Sequence, residues 1–303
     1  MISFKILSED IVSSLIDEIM MASPDADLDL AKDNLEMLLN DGGDGEYAVT
    51  HAHGCLLVRI FDGEYCFMYP LPLCDWSDQT KAADEIRAYA VKEEIPLVYI
   101  DVPSYMLGDL LPIFRHANID SSDPDNGFYT VRVMSEAALL DEMPGCEGDN
   151  GVSVDPLTPD DDEIYSRLCK DAETNKYWGY DYSADEADPS DDYFRKSAEE
   201  EFDRGVAICL AVRVNGVFAG EGILYGFDLM GGCECAVRLL PAFRRKGYAT
   251  EAIRVLQSLG RKIGLVYLCA TVAKENKASI HLTEKSFEEV GRDGENIKYR
   301  RNL

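Results

Sequence analysis

The chain has 303 residues, of which 46% are apolar, enough for packed cores and long enough for two domains. Its formal charge of −28 argues against nucleic acid or an anionic membrane as the main partner, since both call for a broad basic surface. Nine cysteines, an odd number, include no Cys-x-x-Cys pair, and Cys233 and Cys235 have no histidine beside them. The expectation is reduced, buried thiols in a cytoplasmic protein, with no metal set. Glu9, Asp10, Asp17 and Glu18 make the first residues unlike a signal peptide, and no apolar run approaches membrane-spanning length.

Residues 9–22 and 30–39 have the apolar spacing of amphipathic helices, separated by Ser23-Pro24-Asp25. After the break at Gly42-Gly43-Asp44-Gly45, strands are predicted over 47–51, 54–61 and 64–71. A helix over 79–94, a strand over 96–102, a helix over 105–114 and a strand over 128–133 complete this half. The loop after the third strand, Pro72-Leu73-Cys74-Asp75-Trp76-Ser77-Asp78, is acidic and has no glycine or cation, so it would repel phosphate. His51 and His53 alternate along one strand and read as surface residues rather than metal ligands. Residues 141–151 are acidic, turn-forming and poor in apolar residues, and read as a linker.

In the second half, Thr158 caps a helix that runs to about Asp171, with Pro159 at its first position. An aromatic stretch, Asn175 to Tyr182, and a helix over 192–204 follow. Residues 206–214 and 217–227 form a hairpin about Asn215-Gly216, which suits a type I′ turn. Residues 233–240 form a strand that ends before Pro241. A helix ending at Gly264, a strand over 266–272, a helix over 276–285 and a strand over 297–301 close the chain.

Between strand 233–240 and the following helix lies Arg244-Arg245-Lys246-Gly247-Tyr248-Ala249-Thr250. Successive backbone N–H groups at a helix N-terminus bind anions, and a glycine lets a phosphate come close to the backbone. The local chemistry is a pyrophosphate site. Residues 1–150 hold 8 Lys and Arg against 30 Asp and Glu, whereas residues 151–303 hold 21 against 27. Seven of those 21 cations, namely Arg238, Arg244, Arg245, Lys246, Arg254, Arg261 and Lys262, are expected around this loop. The acidic remainder suits a cationic acceptor, or solubility alone.

Arg244-x-x-Gly247-x-Ala249 resembles the Arg/Gln-x-x-Gly-x-Gly/Ala signature of the GNAT N-acetyltransferase superfamily. The wider run from Pro241 to Ala252, and Asn276-x-x-Ser279 after the next strand, look like the branch that acetylates ribosomal-protein alanine N-termini. The resemblance implies an α/β fold with a mixed sheet and acetyl-CoA as acyl donor. It implies that Leu239, Arg244, Arg245, Lys246, Gly247, Tyr248, Ala249, Thr250, Asn276 and Ser279 contact the donor. Glu234 is the candidate base, with Glu221 the other, and Ser279 the candidate acid, ahead of His281. Glu284-Lys285-Ser286-Phe287 departs from the family's Glu-Lys-Leu-Gly-Phe, and Thr283 stands where many members have a tyrosine acid. The element order of the first half is similar too, so the expectation is a tandem acyl-CoA N-acyltransferase fold. Residues 1–145 would be a degenerate domain without a cofactor loop, weakly similar to the first domain of phosphatidylglycerol lysyltransferase-type proteins, and residues 151–303 the acetyl-CoA domain. An unrelated α/β domain is the alternative for the first half. The implied function is acetyl transfer to a primary amine on a small molecule or peptide, with no nucleic acid or membrane involved. A non-catalytic acyl-CoA-binding sensor and an aminoacyl-tRNA-dependent transferase stay open as alternatives, the charge opposing the latter.

Overall fold

A computed structural model describes residues 5–22, 32–33, 35, 46–52, 55–61, 65–70, 79–103, 118–123, 128–178 and 190–303. The chain divides into two compact units, Met1–Ser135 with Asp228–Met230, and Glu136–Phe227 with Gly231–Leu303.

The first unit is built on a sheet of seven strands: β1 (Lys5–Ile6), β2 (Glu46–Ala52), β3 (Cys55–Phe61), β4 (Tyr65–Pro70), β5 (Leu97–Pro103), β6 (Asn118–Asp123) and β7 (Phe128–Arg132). Their order is β1-β2-β3-β4-β5-β7-β6. Among the described strands of this sheet only β4 and β5 run parallel. A parallel pair needs a crossover, and helix α2 (Gln79–Lys92) lies between them in the chain. Helix α1 (Glu9–Ala22) buries Val12, Leu15 and Ile19, spaced three and four apart on one face. The two-residue β1 and the polar β6 are absent from the sequence reading. The predicted helix 105–114, the acidic loop 72–78 and His53 lie outside the described residues, as does the predicted helix 30–39 apart from Lys32, Asp33 and Leu35.

The second unit carries eight strands: β8 (Cys146–Glu147), β9 (Val152–Pro156), β10 (Ala207–Val214), β11 (Val217–Tyr225), β12 (Gly232–Leu239), β13 (Tyr267–Ala273), β14 (Glu288–Asp293) and β15 (Asn296–Asn302). The order is β14-β15-β13-β12-β11-β10-β9-β8, again with one parallel pair, β12 with β13. Strands β9 to β15 thus repeat the order and directions of β1 to β7. The helices are α3 (Asp162–Lys170), α4 (Ala172–Asn175), α5 (Tyr193–Asp203), α6 (Tyr248–Lys262) and α7 (Lys277–Thr283).

Strand β10 reads Ala-Ile-Cys-Leu-Ala-Val and is buried on both faces, which is why it lacks polar alternation. Tyr165, Leu168 and Cys169 of α3 and Phe194 and Ala198 of α5 cover one face, against Ala207, Cys209 and Ala211. Helix α6 covers the other. It buries Ala252, Ile253, Val255, Leu256 and Leu259, and Leu256 lies against Gly222, where a Cβ would come 3.4 Å from its side chain. The hairpin turns through Asn215 (φ +50°) and Gly216 (φ +78°), as Asn-Gly requires. Three strands escape the sequence reading, β8, β9 and β14. Cys146 and Glu147, within the segment read as a linker, pair with β9, and Lys262 Nζ bonds the Gly145 carbonyl at 3.3 Å.

Candidate active site

The parallel pairing of β12 with β13 covers only Gly232↔Tyr267, Cys233↔Leu268 and Glu234↔Cys269. Beyond Glu234 the two strands part. The Leu240 N–H donates to Ala219 O on β11 at 2.9 Å. Main-chain groups alternate sides along a strand, so those of Ala236 and Arg238 also face β11, while those of Val237 and Leu239 face the gap toward β13. The Leu239 N–H has no partner among the described residues. Gly220 lets the strands bend here: a Cβ on it would lie 2.1 Å from the Arg238 carbonyl oxygen and 2.8 Å from Leu239 Cα.

The loop from β12 into α6 continues from the same strand end. A short 3-10 turn, Pro241–Phe243, uses the Phe243 and Arg244 N–H groups, which donate to Leu240 O and Pro241 O. The next main-chain donor with an acceptor is Glu251, bonded to Gly247 O at 3.1 Å. Among the described residues, then, the six N–H groups from Arg245 to Thr250 are unpaired. Arg245 (φ +61°) and Gly247 (φ +87°) are both left-handed, the alternation that turns successive N–H groups toward one concavity. The positive end of the α6 dipole adds to the same place. A Cβ at Gly247 would meet nothing within 4 Å, so its front is open. Arg245 and Lys246 are exposed beside it.

Glu234 sits at the point where the strands part. Its carboxylate accepts the Thr271 N–H at 3.0 Å and the Thr271 hydroxyl at 3.1 Å. Burial raises its pKa above the usual carboxylate range, opposed by these two bonds and by Lys298. Farther along, Asn276 caps α7, its Oδ1 accepting the Ser279 N–H at 3.1 Å. Ser279 is half-buried and His281 exposed, while Thr283 is buried.

Residues 152–286 match the family model described as "Acetyltransferase (GNAT) domain". Residues 152–286 are a GNAT acetyltransferase domain. Similar solved structures include Mycobacterium smegmatis RimJ in complex with CoA-disulfide, at 17% identity over 56% of this chain and 90% of that one, with a TM-score of 0.46. RimL, a ribosomal L7/L12 alpha-N-protein acetyltransferase, matches at 13% identity over 53% and 94%, with a TM-score of 0.43. The microcin C7 self-immunity acetyltransferase MccE, in complex with acetyl-CoA and AMP, matches at 15% identity over 51% and 94%, with a TM-score of 0.44. No curated protein matches the chain.

The acetyltransferase domain distributes its cations differently from the sequence expectation. Arg238 is not at the loop at all. Its side chain is even-numbered on β12, on the face covered by α3, and is 3% exposed. Its Nε donates to Glu221 Oε2 at 2.6 Å, and Nη2 lies 2.5 Å from the same oxygen. Glu221, 0% exposed, also accepts the Tyr165 hydroxyl at 2.7 Å. Arg261 and Lys262 stand in the last turn of α6, about 20 Å from its start at 1.5 Å per residue. Arg254 pairs with Glu251. Only Arg244, Arg245 and Lys246 belong to the loop, and Arg244 points inward. Its Nε donates to Leu239 O at 2.8 Å and its Nη2 to Thr174 Oγ1 at 2.6 Å.

Helix α4 is therefore clamped from two sides. Arg244 reaches Thr174, and Arg238 donates to Asn175 Oδ1. The Asn175 amide closes the end of α3 through the Leu168 and Cys169 carbonyls, at 3.0 and 2.7 Å. Trp178 stacks on the Arg238 guanidinium, 4.3 Å from ring centroid to Cζ. The aromatic stretch thus begins as packing over a buried ion pair, and its remainder, 179–182, lies outside the described residues. Burial pushes the Cys169 thiol up to about 12 and raises Cys209 and Cys235 as well, so these thiols stay protonated near neutral pH. Among the described residues no cluster of His, Cys, Asp and Glu could hold a metal ion. No described helix is long and apolar enough to cross a membrane.

Proposed function

We propose that the domain transfers the acetyl group of acetyl-CoA to a primary amine by direct attack. The observation that carries this reading is the run of six unpaired N–H groups, 245–250, beside the parted end of β12. A pyrophosphate fits such a run, and the open front of Gly247 leaves room for it. Arg245 and Lys246 add charge. Arg244 serves by holding the strand end, since two of its guanidinium nitrogens and its main-chain N–H are engaged within the fold. Asn276 and Ser279 lie at the start of α7, directly after β13, and are assigned to the thiol end.

Acetyl-CoA supplies an activated acetyl thioester. The protein's part is to deprotonate the amine, polarise the carbonyl and accommodate the leaving thiolate. Glu234 takes the ammonium proton. The Leu239 N–H faces the gap and donates to the carbonyl oxygen as it gains charge. Ser279 donates to the thiolate. The net charge of −28 favours a cationic acceptor. A panel containing a peptide with an N-terminal alanine, an aminoglycoside, a polyamine and a simple alkylamine tests the reading through thioester cleavage. Amine-dependent release of CoA thiol is expected. Tight CoA binding without cleavage by any amine would support a non-catalytic binding module instead.

Gly247→Val should weaken CoA binding by roughly 2 kcal/mol or more, about 30-fold. Its Cβ meets no protein atom, so the loss comes from φ +87°, costly for a β-branched residue, and from the methyls standing where phosphate approaches. Calorimetry checks this, and an unchanged dissociation constant would remove the loop assignment. The first unit is proposed to bind no acetyl-CoA, because of its acidic loop 72–78. Calorimetry on separately produced residues 1–135 and 136–303 should show binding by the second alone.

A further inference from the structure

We propose that Thr271 is a positioning residue for Glu234, whose carboxylate stands in for the backbone acceptor at the first unpaired rung between β12 and β13. The inference rests on the reading of Glu234 as the base and adds the group that sets its position.

The argument is one of register. Lys274 N donates to Glu295 O, and Leu303 N to Val266 O, so even-numbered residues of β13 direct their main-chain groups to β15. Cys269 and Thr271 therefore direct theirs to β12. In a continuous parallel ladder the Thr271 N–H would donate to the Cys235 carbonyl, one rung past Glu234↔Cys269. It donates instead to Glu234 Oε2 at 3.0 Å. The Thr271 hydroxyl completes a two-point hold through Glu234 Oε1 at 3.1 Å. A side chain thus occupies the place of a main-chain rung. It satisfies the exposed donor of β13 while leaving the strands apart, and it keeps the carboxylate at the mouth of the gap that Leu239 faces.

Both donors favour the ionised carboxylate, against the burial that favours the neutral one. Other titratable groups facing Glu234 are Tyr225 on β11, Cys269 on β13 and Lys298 on β15, while its strand neighbours Cys233 and Cys235 point to the opposite face. Burial and the Glu234 charge push Tyr225 up to about 12, so it is neutral throughout the range of interest. Lys298 favours the carboxylate.

The test is a carbon-13 titration of the full chain with labelled glutamate, the Glu234 signal identified by its loss in Glu234→Gln. Thr271→Val keeps the shape and the N–H bond and removes only the hydroxyl. It should raise the Glu234 midpoint by about half to one pH unit, and Thr271→Ser should return it toward wild type. A wild-type midpoint in Thr271→Val, or no recovery in Thr271→Ser, overturns the inference. Calorimetric CoA binding within about twofold of wild type in both variants verifies that the fold is intact. A parallel pH–rate profile with acetyl-CoA and the panel amines separates the two readings. If the midpoint moves but the acid limb of kcat/KM does not follow, Thr271 holds Glu234 and the base assignment fails. If the limb follows, both stand.

Discussion

Arg238→Met should destabilise the acetyltransferase domain by about 3–5 kcal/mol. The methionine fills much of the same volume, so packing alone does not account for the figure. Glu221 is 0% exposed, and among the described residues its charge is balanced by Arg238 alone, with the Tyr165 hydroxyl as its other donor. Removing the cation leaves a carboxylate in the core without solvent or counter-charge. The same change frees Asn175 Oδ1 and unstacks Trp178. Unfolding of residues 136–303 in urea measures it, with the midpoint and slope read separately. A loss below about 1 kcal/mol would mean that solvent reaches the pair. The triple replacement Arg238→Met, Glu221→Leu, Tyr165→Phe should recover much of the stability, because no buried charge is then left alone and Asn175 Oδ1 is the acceptor that still lacks its donor.

That network also shows where sequence reading stops. The course of the loop is legible because its geometry is local: Gly247 supplies the left-handed turn, Pro241 ends the strand, and Asn276 caps the next helix within three residues. The hairpin at Asn215-Gly216 was legible for the same reason. Strand β9, Val-Ser-Val-Asp-Pro, was hidden by the helix-cap signal of Thr158-Pro159 directly behind it. Strand β14, Glu-Glu-Val-Gly-Arg-Asp, lies at the sheet edge with almost every residue exposed, so it carries no apolar alternation to read. Arg238 stands six residues from Arg244 and so falls among the loop cations in sequence, although alternation along β12 turns it to the α3 face. Thr271 and Gly220 gave no signal at all. Their roles depend on which way a main chain faces between strands far apart in sequence, and no spacing rule within one segment contains that. The same limit applies to Arg244, where the motif implies an anion contact and the guanidinium instead ties Leu239 to Thr174.

Glu234→Gln should lower kcat/KM by about 10²-fold near neutral pH and leave the fold intact, since glutamine still accepts from Thr271. The sign of the pH dependence follows from which form works. A base must be ionised, and burial raises the Glu234 pKa above the usual carboxylate range. Wild-type kcat/KM therefore falls as pH drops through that raised value, and is fully developed above it. The glutamine variant has no such limb. Its deficit should shrink as pH rises toward the pKa of the amine, because the acceptor then loses its proton to water unaided. Direct attack carries a second expectation: intact-protein mass spectrometry after acetyl-CoA alone should show no acetyl group on Cys233, Cys235 or Cys269. Cys233 and Cys235 are buried, and burial raises the Cys235 pKa, which suppresses the nucleophilic thiolate. A covalent acetyl-cysteine that turns over would refute direct transfer. A glutamine variant with the wild-type pH profile would take the base role from Glu234. It would not pass to Glu221, whose two oxygens are held by Arg238 and Tyr165 beneath the sheet, and proton removal would then fall to solvent.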